Sequence, residues 1–308
     1  MALCRVPALV SSSWLKQRLP AYLSQLGKGA SSSPGSGNDA PLRLLDTSWV
    51  PEPDVDGYKE FYSKSHIPGA AHFDLKTLSP KRPDSPIDCP IPDLKLFREY
   101  VESFGITNNT HVIAYDSLNT RPSVRTWFLF RLFGHDQVSI LNGGMVQWVK
   151  EGNDVTAEEP DASQLRSGEP FNINFRSDLL LDYQAMLKVV DAQSAQLLDS
   201  RPGVGGFYIT DDDKSGGHMP GAKSLPFPIV FNKDGTFKSK EDLAALFANN
   251  GVDLNQPIVA TCQRGMTACA LAVAGHVLGV DNIPVYNGSW LEWSAIAEPR
   301  NIVQRKKE

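Results

Sequence analysis

The loop from Cys262 to Thr267, which reads Cys-Gln-Arg-Gly-Met-Thr, is the segment best suited to chemistry. It follows the apolar run Ile258–Thr261, which is typical of a buried strand, and it leads into Thr267–Leu278, which is apolar nearly all round and predicts a buried helix. A cysteine at the carboxyl end of such a strand lies where parallel α/β sheets bind their ligands. Gly265 permits the tight backbone that turns the strand into the helix.

This loop is suited to holding a negatively charged sulfur. Its backbone N–H groups form an anion-binding nest, and the positive end of the following helix dipole lies beside the thiol. Both effects stabilise a thiolate, the reactive form of cysteine, and Arg264 adds a fixed positive charge. We therefore expect Cys262 to be a nucleophile; the alternative is an inert buried thiol. Cys269, about two helical turns further on, is predicted to be a core residue.

Composition and charge limit the class of protein. The chain has 308 residues, of which 41% are hydrophobic and 21% charged, with a net charge of −5. The net charge is not basic, so it does not indicate a nucleic-acid partner. No stretch approaches the ~20 apolar residues of a membrane span. The four cysteines lack C-x-x-C spacing, so we expect free thiols in a reducing compartment, with no structural metal and no cofactor.

The N-terminal region has two interpretations. It is basic, contains serines and has no acidic residue before Asp39, which resembles the composition of a mitochondrial transit peptide. The alternative is that Leu9–Leu19 already belongs to the first helix of a domain. Both a cytoplasmic and a mitochondrial location therefore stay open.

An internal repeat organises the chain. Ordered pairs of short motifs recur about 150 residues apart, which chance does not produce. The pairs are Leu44–Asp46 with Leu197–Asp199, His66–Ala70 with His218–Ala222, Gly105–Ile106 with Gly251–Val252, Gly134–Asp136 with Gly279–Asp281, and Asn142–Gly144 with Asn287–Ser289.

The repeat predicts a tandem duplication. We expect a first domain over residues 1–150, a polar linker over 151–170 and a second domain over 171–308. Short β-rich runs alternate with helical stretches in each half, which predicts an α/β fold with a mainly parallel sheet flanked by helices. The position that matches Cys262 is Asp116, so the first domain is predicted to be catalytically silent.

The ordered motifs resemble those of two-domain rhodanese-like sulfurtransferases, which include thiosulfate and 3-mercaptopyruvate sulfurtransferases. The resemblance rests mainly on Leu45–Trp49, His66–Ala70, Gly217–Ala222, the C-x-x-G-x-T-A loop Cys262–Ala268, and Val285–Trp293. It implies a tandem rhodanese-like fold and a ping-pong reaction in which Cys262 becomes a persulfide.

The resemblance also implies the partners of the reaction. A small anionic donor would load the sulfur, and a thiol acceptor such as glutathione or a thioredoxin-like protein, or cyanide, would remove it. The persulfide would be held by the loop residues Gln263, Arg264, Gly265, Met266 and Thr267. We expect a monomer that needs no metal and binds neither nucleic acid nor membrane.

The identity of the donor stays open between thiosulfate and 3-mercaptopyruvate. Thiosulfate enzymes typically have a basic residue at the third loop position, as Arg264 is here, whereas mercaptopyruvate enzymes have serine. The substrate arginine that the family places after its Asp-x-Arg motif falls on Gly205 or Gly206. Four candidates remain for binding the donor: Arg264, Arg201, Lys214 and His66. Arg201 and His66 have structural alternatives, His66 as the residue that fixes a turn.

Two other functions are alternatives to a sulfurtransferase. A persulfide carrier or binding module with weak turnover of small donors would explain the missing arginines. A phosphatase with a C-x5-R loop would need an arginine at the end of the loop, and none follows Ala268 there. The phosphatase is the weaker of the two.

Overall fold

The computed structural model describes residues 6–26, 40–50, 52, 54–118, 121–161, 169–202 and 216–304. The chain splits into two compact units. The first contains residues 1–78, 92–175 and 233–236, and the second contains 79–91, 176–232 and 237–308. Residues 79–91 thus group with the second unit although the first half of the sequence encodes them.

The first unit contains, in its described part, a parallel five-stranded sheet flanked by helices. Its strands are β1 (Leu9–Val10), β2 (Leu42–Asp46), β3 (Ala71–His72), β4 (His111–Tyr115) and β5 (Val138–Leu141). They lie in the order β1-β5-β4-β2-β3. Its helices are α1 (Ser12–Leu26), α2 (Leu75–Leu78), α3 (Leu94–Ser103), α4 (Arg121–Leu132) and α5 (Gly144–Lys150), with a π-helical turn at Tyr58–Tyr62.

The second unit repeats this design. Its strands are β6 (Leu180–Leu181), β7 (Gln196–Asp199), β8 (Lys223–Ser224), β9 (Ile258–Thr261) and β10 (Val285–Tyr286). Its helices in the described ranges are α6 (Tyr183–Ala192), α7 (Lys240–Asn249), α8 (Ala268–Val277) and α9 (Ser289–Ile296), with 3-10 turns at Ser177–Leu179, Phe227–Val230 and Pro299–Asn301. The parallel strands lie in the order β6-β10-β9-β7-β8.

The two sheets match strand for strand, which confirms the duplicated α/β fold. In the first sheet Asp46 lies opposite Tyr115, and in the second Asp199 lies opposite Thr261. Every residue of β4 and β9 is buried, because helices cover both faces of a parallel sheet. The residues that directly follow β4 and β9 therefore lie at equivalent edges of the two sheets.

The helix starts differ in a way that matters for the site. Asp93, Asp182 and Ser239 each accept a backbone N–H bond in the first turn of α3, α6 and α7. Helix α8 has Thr267 at its N-cap and no side-chain capping bond. The N–H groups that precede α8 are thus left for other acceptors.

The N-terminal residues from Pro7 onward belong to the first unit. Leu9 and Val10 pair with β5, so the expectation that Leu9–Leu19 begins a helix is wrong at its start. Helix α1 begins at Ser12 because the Ser11 hydroxyl accepts the N–H of Trp14 and caps it. No helix in the described ranges is long and apolar enough to cross a membrane.

Two buried histidines support the first sheet in their neutral form. The Ser139 hydroxyl donates its single proton to the carbonyl oxygen of Pro7, so His111 Nε2, at 2.8 Å, must donate to Ser139 Oγ. His135 Nε2 lies 3.0 Å from the carbonyl oxygen of Thr110 and donates to it. Burial lowers the pKa of both imidazoles from 6.5 to about 4.

We expect the first unit to lose stability as the pH falls from 6.5 towards 4. The unfolded chain binds protons on His111 and His135 in this range and the folded chain does not, which removes up to about 1.4 kcal/mol per pH unit for each imidazole. His111→Gln keeps an N–H donor at the Nε2 position and cannot titrate. Urea unfolding at several pH values should give a shallower pH dependence for this variant. Parallel curves for the variant and the wild type would contradict the assignment.

Candidate active site

The loop between β9 and α8 requires glycine at residue 265. Gly265 has a φ of +81°, in the left-handed region that other residues rarely adopt. A Cβ atom at this position would lie 2.6 Å from the carbonyl oxygen of Asn287. The glycine is therefore needed both for the backbone conformation and for the space, and it turns the chain sharply after Cys262.

Cys262 lies inside this turn, with its sulfur facing the loop backbone. Its side chain is buried, and the N–H of Gly265 donates to Sγ over 3.1 Å. An N–H group directed at the sulfur favours negative charge on it. The positive end of α8, which begins at Ala268, adds to this effect.

Ser289, the first residue of α9, also contacts the cysteine. Its hydroxyl accepts the N–H of Cys262 at 3.2 Å, donates to the carbonyl oxygen of Tyr286 at 2.9 Å, and lies 3.7 Å from the sulfur. Ser289 has a φ of +52°, which is unusual for a residue other than glycine. Backbone strain of this kind concentrates at functional sites.

The first unit has the same backbone arrangement around an aspartate. Gly144 has a φ of +55°, close to that of Ser289. The N–H of Met145 donates to the carbonyl oxygen of Asp116 at 3.0 Å, as that of Trp290 donates to Cys262 at 2.9 Å. Asp116 and Cys262 thus lie at equivalent positions.

The Asp116 carboxylate accepts one N–H group of its own loop and one of helix α4. Its two oxygens accept the N–H of Leu118 at 2.7 Å and the N–H of Ser123 at 3.0 Å. The first repeat thus folds its loop around a carboxylate, and the second folds its loop around a sulfur.

The Arg264 guanidinium forms an ion pair with Asp88. Nη1 lies 2.9 Å from Oδ2 of Asp88, and Lys81 Nζ lies 3.0 Å from the other carboxylate oxygen. Asp88 belongs to the segment 79–91 that groups with the second unit. The cation that the sequence indicates for donor binding therefore already has a carboxylate beside it.

A second contact holds the same segment to the loop. The side-chain amide of Asn287 donates to the carbonyl oxygen of Cys89 at 3.1 Å, and the backbone of Asn287 packs against Gly265. Residues 79–91 thus contact the loop through the Arg264–Asp88 ion pair and contact Asn287, which packs against the loop, through a buried hydrogen bond.

Arg201 lies deep in the second unit. Its guanidinium donates to both carboxylate oxygens of Asp199 and to the carbonyl oxygen of Gly217 at 2.9 Å. It also lies 4.6 Å above the ring of Trp290, whose backbone N–H donates to the carbonyl oxygen of Cys262. Burial raises the pKa of Asp199, and the pairing with Arg201 opposes that rise. The Arg201 guanidinium is thus held by Asp199, Gly217 and Trp290.

The remaining predicted donor-binding residues lie elsewhere. His66 belongs to the first unit, where its ring nitrogens lie 2.8 Å and 3.0 Å from the carbonyl oxygens of Tyr62 and Glu158 and its ring stacks on Tyr62. Both nitrogens are thus engaged by backbone. Lys214 lies outside the described residues.

The other loop residues bind their surroundings through backbone and side chain. The carbonyl oxygen of Gln263 accepts the N–H of Leu291 at 3.2 Å, and Thr267 Oγ1 lies 3.0 Å from the hydroxyl of Ser200. Met266 is largely buried, as is Cys269, whose thiol contacts the carbonyl oxygen of Gly265. Within the described part of the chain, no group of three His, Cys, Asp or Glu side chains is arranged to hold a metal ion.

Comparison with known proteins agrees with this geometry. The sequence model of the rhodanese-like domain matches residues 37–151 and again 182–296. The chain belongs to the rhodanese-like family. The two matched rhodanese-like domains contain Asp116 and Cys262 at their equivalent positions.

Relatives of this rhodanese-like chain extend over nearly its full length. The thiosulfate sulfurtransferase of Gallus gallus is 38% identical over 97% of this chain and 98% of that protein. The 3-mercaptopyruvate sulfurtransferase of Homo sapiens is 34% identical over 98% and 96%. The crystal structure of SseA from Escherichia coli, described among 3-mercaptopyruvate sulfotransferases, matches with a TM-score of 0.76 and 27% identity over 92% of this chain and 99% of that one.

Ser289 and Asp88 are the site residues that the sequence reasoning missed. A signal for Ser289 was present, because the repeat aligns Asn287–Ser289 with Asn142–Gly144 and so places a serine where the first copy has glycine. Asp88 has no such signal, since it meets Arg264 across 176 residues of sequence.

Replacing Gly265 with alanine should disrupt the loop more than replacing Gly279. Both glycines have positive φ, but a Cβ on Gly279 meets nothing within 4 Å, so that variant carries only the backbone strain. We expect Gly265→Ala to be less stable than Gly279→Ala by about 1–3 kcal/mol and to slow alkylation of Cys262 by iodoacetamide. Equal stability and equal alkylation rates in the two variants would refute the steric requirement.

Proposed function

We propose that this chain moves a sulfane sulfur from a small anionic donor to a thiophilic acceptor through a persulfide on Cys262. The observation that carries the proposal is the N–H of Gly265 directed at the Cys262 sulfur over 3.1 Å. A hydrogen-bond donor in this position stabilises a thiolate before the reaction and a charged persulfide after it.

The class of enzyme follows from the relatives. Proteins that are 34–38% identical over nearly the whole chain are named thiosulfate sulfurtransferase or 3-mercaptopyruvate sulfurtransferase. The chain is a sulfurtransferase of this kind. The donor, the acceptor and the intermediate are the finer parts of the proposal.

The two half-reactions balance without an oxidant or reductant. The Cys262 thiolate attacks the outer sulfur of thiosulfate, the S–S bond of the donor breaks, and sulfite leaves with its electron pair while Cys262 keeps the sulfur as a persulfide anion. Cyanide then attacks the terminal sulfur, thiocyanate leaves, and the thiolate is restored. With 3-mercaptopyruvate the same attack releases pyruvate, whose methyl group takes the proton of the donor thiol.

The residues of the second unit have three roles in this proposal. The backbone of Gln263 to Thr267 holds the persulfide, and Arg264 attracts the anionic donor. Arg201 positions the loop through Asp199 and Trp290, because its guanidinium is engaged there. Lys214 stays a candidate for donor binding, whereas the contacts of His66 favour its role in fixing a turn.

The first domain would carry no sulfur. A carboxylate such as that of Asp116 cannot form a persulfide, and its oxygens already accept the N–H of Leu118 in the loop and that of Ser123 in α4. The proposed acceptors are cyanide, glutathione or a thioredoxin-like protein. The proposed form is a monomer in the cytoplasm or the mitochondrion.

A persulfide carrier with slow turnover of small donors is the second candidate. The ion pair between Arg264 and Asp88 favours it, because it reduces the positive charge offered to a small anion. A carrier would still accept sulfur on Cys262, but it would release thiocyanate slowly from thiosulfate or 3-mercaptopyruvate with cyanide.

The intermediate can be detected by intact mass. Wild-type chain mixed with thiosulfate should gain the mass of one sulfur atom and lose it again on addition of cyanide. Cys262→Ser should gain nothing, whereas Cys269→Ser, a change of the buried thiol on α8, should still gain it. Sulfur uptake by Cys262→Ser would place the nucleophile elsewhere.

Removal of the Arg264 charge should weaken donor binding. Because the guanidinium is partly exposed, we expect Arg264→Ala to raise KM for thiosulfate by about three- to tenfold, with a smaller change in kcat. Arg300→Ala, which removes an exposed arginine paired with Glu298, is the matched control and should leave KM unchanged. Steady-state thiocyanate formation measures both. An unchanged KM in Arg264→Ala would rule out its role.

A further inference from the structure

We propose that Asp88 is a specificity-determining residue that lowers the affinity of the site for dianionic donors by partly neutralising Arg264. The inference rests on the proposed function, because it concerns the choice of donor at Cys262. It assigns a role in donor selection to residues 79–91, which lie more than a hundred positions before the cysteine loop in the sequence.

The geometry makes Asp88 the central charge of a three-residue chain. It lies between Arg264, at 2.9 Å, and Lys81, at 3.0 Å, each cation on a different carboxylate oxygen. The Asp88 side chain is 18% exposed, against 41% for Arg264 and 65% for Lys81. It is therefore the least solvated of the three, and its charge is the least screened by water.

The position of residues 79–91 depends on more than the charge of Asp88. The amide of Asn287 binds the carbonyl oxygen of Cys89, the residue next to Asp88, through a buried hydrogen bond. Asp88→Asn keeps the size and shape of the side chain and leaves that hydrogen bond in place. The variant therefore changes the electrostatics of the loop cation with little change in the backbone.

The charges predict the direction of the effect. An approaching thiosulfate dianion is attracted by Arg264, and the ion pair with Asp88 weakens this attraction because the carboxylate competes with the donor for the guanidinium. The attraction scales with the charge of the donor, so a donor with one negative charge, such as 3-mercaptopyruvate, loses about half as much of it. Asp88 would thus shift the preference of the site towards donors of lower charge.

The first test is a kinetic comparison of two donors. We expect Asp88→Asn to lower KM for thiosulfate about three- to tenfold at low ionic strength, with kcat changed less than about twofold. KM for 3-mercaptopyruvate should fall by a smaller factor, and both effects should shrink at about 0.5 M salt. Asp84→Asn, an exposed aspartate in the same segment, is the matched control and should change neither KM.

A double-mutant cycle connects the effect to Arg264. If Asp88 acts by neutralising this guanidinium, the fall in KM caused by Asp88→Asn should be much smaller in an Arg264→Ala background. A fall of the same size in that background would show that Asp88 does not act through Arg264.

The second test does not require sulfur transfer. Iodoacetate and iodoacetamide alkylate a thiolate and differ by one negative charge, so the ratio of their rates with Cys262 reports the local electrostatic potential. Asp88→Asn should raise the iodoacetate-to-iodoacetamide ratio several-fold, and Asp84→Asn should not. This ratio tests Asp88 even if the wild-type chain took up no sulfur, an outcome that would defeat the proposed function alone.

Two results would overturn the proposal. An unchanged alkylation ratio in Asp88→Asn would show that its charge is not felt at the sulfur. A raised KM for thiosulfate would show that Asp88 holds Arg264 in a productive position, the opposite of the role inferred here.

Discussion

The hydrogen bond from the N–H of Gly265 to the sulfur of Cys262 depends on a turn that only glycine can make. The positive φ at Gly265 bends the chain back over the cysteine, and the absence of a side chain lets the backbone of Asn287 pack against it. The buried strand β9 fixes the start of this turn, and the buried helix α8 fixes its end. A rigid scaffold of this kind keeps an N–H group directed at one atom without a cost of reorganisation during the reaction.

The duplication shows how one backbone can hold two different charges. Both copies close their loop with an N–H bond to the carbonyl oxygen of the residue after the central strand, Asp116 in one and Cys262 in the other. Both also place a positive φ at the start of α5 or α9. The first copy uses glycine there and the second uses serine, whose hydroxyl lies 3.7 Å from the sulfur. The strained serine is thus found in the copy that has Cys262, and the copy that has Asp116 has glycine in its place.

Much of the fold could be predicted from the sequence because hydrophobic periodicity is a local property. Strand β9 has the expected bounds, Ile258–Thr261, and helix α8 lies within the expected Thr267–Leu278, as both are strongly patterned segments. The strand Leu9–Val10 was missed, since two residues are too few to show a pattern. The cysteine loop was found because its residues are consecutive, whereas Asp88 reaches Arg264 only through tertiary folding.

The central claim is that Cys262 accepts a sulfur atom from a small donor inside this turn. Its most direct test is a single-turnover measurement of sulfite after wild-type chain is mixed with excess thiosulfate in the absence of any acceptor. The account predicts a burst of one sulfite per chain and no burst from a chain in which Cys262 is blocked by iodoacetamide. Sulfite released in equal amount by the blocked chain, or no burst from folded wild-type chain with a reduced thiol, would contradict it.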